Sequence, residues 1–283
     1  MKRPDLVMAG GTAVVTGAAG GMGEHLAKGV ARRGANLVVV DRDETGLSRV
    51  VEDIRRQTSG AGVTSYVADF ADRAATDAVI DRIRNAHPDV TMLFNNAGVA
   101  LGGRFTELSE QEFDWLLEIN LHVPIRLTRA LLPLMLANGE GQVVNTSSLF
   151  GLVGPPGQSA YSTSKYGLRG FSEALRSELE DGRHRVGVTV VHPGGIRTNI
   201  ARDARVAAAA DPAEATQGKK DFDSVLRYPA DRAAEDIIEA TIARQPRLLI
   251  GNDAKGLDVL ARLTPGRYWS AMGRLMALAA KRS

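Results

Sequence analysis

A doubly wound α/β fold, one parallel sheet with helices on both faces, is predicted by two features of the sequence. Short apolar runs of strand length alternate with longer segments whose apolar residues recur at helical spacing. Such alternation implies parallel strands joined by right-handed crossovers. A glycine-rich turn also separates the first apolar run from the first helical segment, the setting in which a phosphate can meet a helix N-terminus. The 283 residues, 44% hydrophobic and 24% charged, are ordinary for a globular protein and suffice for one domain with a substantial core. The expected division is a sheet domain over 1–250, with a long loop at about 199–228, and a basic C-terminal extension over 251–283.

Taken in order, Thr12-Ala13-Val14-Val15-Thr16 reads as a buried strand. The turn Gly17-Ala18-Ala19-Gly20-Gly21-Met22-Gly23 follows, and residues 24–33 read as a helix. Residues 36–40 form the next apolar run, which ends in Asp41. Further strands are expected over 63–68, 90–94, 142–146, 186–191 and 247–250, and helices over 75–83 and 113–136. Ser109 and Glu112 have the spacing of a capping box at the start of the last of these. Pro124 and Pro133 either bend or shorten it.

Chemistry enters at Tyr161 and Lys165. Residues four apart share a helix face, so the phenol and the ammonium can serve one site, although such a pair is also compatible with a solvated face. A neighbouring ammonium favours the phenolate and lowers a pKa that is otherwise near 10. Ser148, thirteen positions upstream of Tyr161, could hydrogen-bond the oxygen that gains or loses the proton, which makes a proton-transfer site for an alcohol–carbonyl pair. At the other end of the chain, glycines let the backbone turn sharply and bring a pyrophosphate to the helix N-terminus. Asp41, about 20 residues past that turn, stands where a carboxylate accepts from ribose hydroxyls, a reading its register favours over that of a plain helix cap or turn residue.

These motifs together resemble the classical short-chain dehydrogenase/reductase family over nearly the whole chain. Thr16-Gly17-x-x-x-Gly21-x-Gly23 resembles its cofactor turn, with Met22 inside it. Asp69 and Phe70 fall where the family binds the adenine, and Asn95-Asn96-Ala97-Gly98 matches the motif on the adenosine side. Asn120, Ser148, Tyr161 and Lys165 match the catalytic tetrad. His192-Pro193-Gly194-Gly195-Ile196-x-Thr198 matches the segment that holds the nicotinamide carboxamide and pyrophosphate. Because Gly20 is also glycine, the turn fits the spacing of the extended, epimerase-containing branch as well. The thirteen-residue spacing favours Ser148 over Ser147 as the site serine.

The resemblance implies a single-domain Rossmann-like fold and an oxidoreductase that interconverts a secondary alcohol and a ketone by hydride transfer. Tyr161 is its acid/base, Lys165 binds the nicotinamide ribose, and Asn120 holds a relay water. Asp41 would repel the 2′-phosphate of NADP, and Gly20 stands where NADP users often carry a base, so NAD is expected. Arg42, in some relatives a 2′-phosphate ligand, argues the other way. The alternatives are a nucleotide-sugar epimerase or dehydratase, and a binding module that senses NAD without chemistry. The resemblance also implies a homo-oligomer, dimer or tetramer.

Other classes are disfavoured by composition. A net charge of +2 gives no reason to expect a nucleic acid partner, and with no cysteine there is no disulfide or thiol chemistry. His25, His87, His122, His184 and His192 lack metal-ligand spacing. No secretory signal and no uncharged apolar run of about 18 residues is read, so a cytoplasmic location is expected.

Three loops are expected to shape the substrate pocket: 101–105, 149–158 and 199–228. Leu149, Phe150, Leu152, Val153, Pro155 and Pro156 point to an apolar wall and a hydrophobic small-molecule substrate, and the third loop reads as a lid. The extension carries Lys255, Arg262, Arg267, Arg274, Lys281 and Arg282 against Asp253 and Asp258. A basic amphipathic helix with Trp269 and Met272 suits weak contact with an anionic membrane surface. The competing reading is that Leu260, Leu263, Trp269, Met272 and Leu275 cover the cleft or a subunit contact.

Overall fold

The computed structural model describes residues 4–58 and 60–270. Seven strands form one parallel sheet: β1 Thr12–Thr16, β2 Asn36–Asp41, β3 Val63–Val67, β4 Val90–Asn95, β5 Gly141–Thr146, β6 Val186–Pro193 and β7 Arg247–Ile250. Their order is β3-β2-β1-β4-β5-β6-β7, the Rossmann-like doubly wound arrangement. β1, β5 and β6 are buried along their whole length, which is why they read as continuous apolar runs. Edge strand β3 instead alternates, with Tyr66 buried and Val67 51% exposed.

Helices cover both faces. α1 Gly21–Arg32, α2 Glu44–Gln57 and α8 Ala230–Ile242 pack on one side, where Leu26, Leu47, Ile54 and Ile237 meet Val15 and Val39. α3 Arg73–Ala86, α5 Val123–Ala137 and α6 Ser159–Asp181 pack on the other, where Ile83, Leu131 and Leu179 meet Val14, Val38 and Val40. Successive residues of β1 and β2 thus feed opposite layers, as pleating requires. From β1 the chain winds outward to β3, then crosses back to β4. The crevice at that reversal is where open α/β sheets bind ligands.

The helix expected over 113–136 is interrupted. It resolves into α4 Glu110–Leu117, a π turn Glu118–His122, and α5. Pro124 has no N–H to bond the Asn120 carbonyl four residues back, and within the wider turn the Val123 N–H reaches Glu118 instead. Pro133 is accommodated inside α5. The Ser109–Glu112 capping box forms as expected.

α7 Pro212–Val225 precedes α8, and α9 Asn252–Leu263 follows β7. Arg247 of β7 grips Asp258 of α9 through both guanidinium nitrogens, at 3.1 and 2.5 Å. Leu263 and Trp269, read as candidates to cover the cleft or a contact, are 77% and 43% exposed. Met272, Arg274, Leu275, Lys281 and Arg282 lie outside the described residues. Among the described residues no helix is long and apolar enough to cross a membrane, and no group of three or more His, Cys, Asp or Glu could hold a metal ion.

Candidate active site

A cleft of about 560 Å³ opens at the carboxyl ends of β1, β2, β3 and β4. It begins at the glycine turn. Gly17 has φ +67°, and a Cβ there would come within 2.9 Å of the Ala97 Cα. Gly21 has φ +55°. A Cβ on Gly23 would stand 1.8 Å from the Gly17 carbonyl oxygen. Gly20, by contrast, is extended and would meet nothing within 4 Å. The backbone therefore needs glycine at 17, 21 and 23, which settles the spacing ambiguity for the classical branch. Gly20 caps α1 without a side chain, so the first-turn N–H groups face the cleft free of a capping oxygen, the arrangement that receives an anion.

Asp41 combines both of its expected settings. It borders the cleft while its oxygens accept from the N–H groups of Ala19 at 2.9 Å and Asp43 at 3.0 Å. Arg42, Asp69, Phe70, Asn96, Ala97, Gly98, Met22 and Thr198 also border it. Asp69 accepts from the Ala71 N–H. The hydroxyl of Thr16 accepts from the N–H groups of Asn96 and Ala97, each at 3.0 Å, and so fixes the loop after β4. This clamp is one job of the threonine preceding the glycines that the sequence left undescribed.

Gly23, Pro193, Gly194 and Ile196 stand behind the wall rather than on it. Gly194 donates to the Ile250 carbonyl, and Gly195 donates to Asp253 of α9 at 2.7 Å. Ile196 is buried in the core. Asp253 was invisible as a site-supporting residue because it is remote in sequence.

Tyr161 and Lys165 lie on the buried face of α6, 8% and 4% exposed, so the solvated-face alternative is excluded. Tyr161 is hydrogen-bonded to Ser148 and meets the Phe150 ring edge-on at 6.1 Å. Ser148 stands two residues past the end of β5 and accepts from the Phe150 N–H. The Ser147 hydroxyl donates to the Lys165 carbonyl at 2.8 Å, which ties α6 to β5 and leaves Ser148 as the serine facing Tyr161. Lys165 donates from Nζ to the Thr146 carbonyl at 3.0 Å and lies 5.6 Å from the Tyr161 ring centroid. Asn120, fully buried, holds Val99 through both ends of its amide, each at 2.9 Å.

The electrostatics correct one expectation. Lys165 was expected to lower the Tyr161 pKa. Burial dominates instead and pushes the phenol up, with the Ser148 hydrogen bond acting in the opposite direction. Lys165 is itself pushed down, to about 8, by burial. His192 is fully buried, shares a 3.0 Å hydrogen bond between Nδ1 and the Ser148 carbonyl, and is pushed down to about 4, again chiefly by burial. The carbonyl can only accept, so the neutral ring carries its proton on Nδ1 and supports the serine strand end.

The sequence profile described as short chain dehydrogenase matches residues 11–209. The chain belongs to the short-chain dehydrogenase family. Among its relatives, SadH, an oxidoreductase-class protein of Mycobacterium tuberculosis, is 38% identical over 260 residues, 92% of both chains. Mouse dehydrogenase/reductase SDR family member 7B is 30% identical over 92% of this chain and 79% of its own. A short-chain dehydrogenase from Burkholderia phymatum in complex with NAD superposes with TM-score 0.82 at 28% identity, over 92% of this chain and 95% of the other. One from Sphingobium yanoikuyae in complex with NADPH gives 0.74 at 27%, over 95% of each. A nicotinamide cofactor is thus supported for this short-chain dehydrogenase, and the cleft fits it: an uncapped helix N-terminus beside glycines for the pyrophosphate, a carboxylate beyond for the ribose.

The second, smaller hollow of this family member, about 340 Å³, lies between the loop after β4, Pro156–Gln158 and the 204–222 segment. The expected apolar wall is only partly present. Phe150, Ile200 and Ala204 pack beside Tyr161, but Leu152 and Val153 are turned into the interior, 5% and 1% exposed. Charged residues line the outer part instead.

Proposed function

We propose that the protein interconverts a secondary alcohol and a ketone with a nicotinamide cofactor, NAD in preference to NADP. The observation that carries this reading is the buried Tyr161 hydroxyl with the Ser148 side chain acting on it, with Lys165 beside it and with Val99, Ala100 and Ile200, which border the cleft, packed in the same cluster as Tyr161. The nicotinamide, when bound, supplies or accepts the hydride.

The raised phenol makes Tyr161 a proton donor at neutral pH. In reduction it gives its proton to the developing alkoxide while Ser148 holds the same oxygen by hydrogen bond. In oxidation the proton returns to Tyr161. Lys165, 5.6 Å from the Tyr161 ring, would bind the ribose of the cofactor. The Asn120 carbonyl, denied a donor from Pro124 by that residue's missing N–H, is the place for a relay water. Asp41 on the cleft wall favours ribose hydroxyls over a 2′-phosphate. Arg42, which also borders the cleft and has no ion-pair partner among the described residues, supports the NADP reading. Self-association and a cytoplasmic location accompany this proposal.

The test is absorbance at the reduced-nicotinamide band with NAD or NADP and a panel of secondary alcohols. Signal with NAD, lost by roughly 10²–10⁴-fold in Tyr161→Phe while cofactor binding persists, is the expected result. Signal with NADP alone overturns the cofactor assignment. Unchanged turnover in Tyr161→Phe overturns the mechanism.

A further inference from the structure

We propose that the substrate of this site carries an anionic end, a carboxylate or a phosphate, and that Arg205 recognises it. The inference rests on the reading above, in which Tyr161 marks the reacting carbon.

The 340 Å³ hollow adjoins the cofactor cleft, because Ala100 borders both. Its floor is a two-stranded ribbon in which Leu101 pairs with Arg205 and Gly102 with Val206. The Arg205 N–H bonds the Ala100 carbonyl at 3.0 Å, so this arginine is fixed one residue from the cleft. Its guanidinium carbon lies 3.8 Å from the centroid of the Trp115 ring. Stacking on an indole orders a guanidinium while leaving its N–H edges free, the geometry suited to bidentate binding of an oxyanion.

Those edges have no protein acceptor. Among the described residues Arg205 makes no side-chain hydrogen bond or ion pair. The carboxylate that feels it electrostatically, Glu112, is engaged by Ser109 and by the Ala208 N–H. Arg104 and Lys219 line the same hollow, against Glu107 and Glu214. Glu107 is engaged by the Arg104 N–H at 2.8 Å. Three cations thus meet three carboxylates, two of which, Glu107 and Glu112, are already engaged by other donors. Nearer Tyr161 the surroundings are apolar, through Phe150 and Ile200. A ligand matching this gradient places its ketone or alcohol in the apolar end and its anion on Arg205.

A series of methyl-ketone fatty acids of increasing length, their neutral methyl esters and the corresponding ketone-bearing alkyl phosphates supplies the probes. The chain contains two tryptophans, so a Trp269→Phe background makes Trp115 emission a direct readout of binding beside Arg205. The acids or phosphates are expected to perturb Trp115 at concentrations roughly 10- to 100-fold below the esters, and Arg205→Leu to erase that preference by raising Kd and KM for the anions alone, with kcat held. Arg205→Lys, which keeps charge but not the stack, should recover part of it. Whichever anion binds more tightly identifies the source. Equal binding of anions and esters by the parent, or equal weakening of both by Arg205→Leu, overturns the inference. Because emission reads binding without chemistry, Arg205-dependent anion preference without hydride transfer would uphold it while refuting the alcohol–ketone reading; turnover without anion preference would do the reverse.

Discussion

Lys165 donates its ammonium to the main-chain carbonyl of Thr146 at 3.0 Å, where both residues are buried. A full positive charge is compensated only by that dipole and by the Tyr161 ring 5.6 Å away, which costs stability. The folded pKa is lowered from 10.5 to about 8, so between about pH 8 and 10.5 the unfolded chain binds more protons and stability rises with pH. Below pH 8 the full penalty, on the order of 3 kcal/mol, is present. Lys165→Met should therefore melt higher than the parent at pH 7, and the gap should narrow by pH 10. A gap that does not change with pH would show that charge is not its origin.

His192 titrates on the acid side. Its folded pKa is about 4 against 6.5 for the ordinary group. Its contribution is present in full above pH 6.5 and is lost as the pH falls toward 4, again about 3 kcal/mol at most. Urea midpoints should fall between pH 6.5 and 4 in the parent and less steeply in His192→Gln. The Ser148 carbonyl that His192 supports links this titration to the site.

The glycine turn gives a contrast between neighbours. Gly23→Ala would drive a Cβ to 1.8 Å from the Gly17 carbonyl, forcing α1 away from the turn. A loss of roughly 2 kcal/mol or more and of reduced-nicotinamide binding, followed by cofactor fluorescence, is expected. Gly20→Ala meets nothing within 4 Å and should melt like the parent.

Asp253 is the support of the segment after β6. It accepts from Gly195 at 2.7 Å and from Ala254 at 2.9 Å. Asp253→Ala leaves the Gly195 N–H without that charged partner, worth about 1.5–3 kcal/mol, and should weaken cofactor binding by a similar factor in titrations. Asp253→Asn keeps an acceptor oxygen and should recover most of the affinity. Equal losses in the two would point to charge rather than to the hydrogen bond.

What could be read from the chain followed what is local. The strand expected over 12–16 appears at those bounds because burial on both faces writes an unbroken apolar run, and that over 247–250 likewise, although it is an edge strand with only Ile250 buried. The 113–136 helix failed as one element because a π turn shifts the helical phase, and a proline does not declare whether it will kink or widen. Tyr161 and Lys165 were legible by spacing, yet their burial depends on which face of α6 meets the sheet. An apolar loop does not say which way it points, so Leu152 and Val153 read as pocket wall while being interior. Trp115 and Arg205 meet only because residues 101 and 205 pair, a contact no local pattern encodes.

The bond from Gly195 to Asp253 spans 58 positions, and its far end is made late. The glycine turn, the first six strands and the Tyr161 helix all precede residue 253 by more than fifty positions, whereas β7 immediately precedes it. Gly194 is held by β7 and Gly195 by α9, so both late elements bear on this segment. The hold on Gly195 is therefore supplied by a part of the chain made well after the glycine turn and the Tyr161 helix.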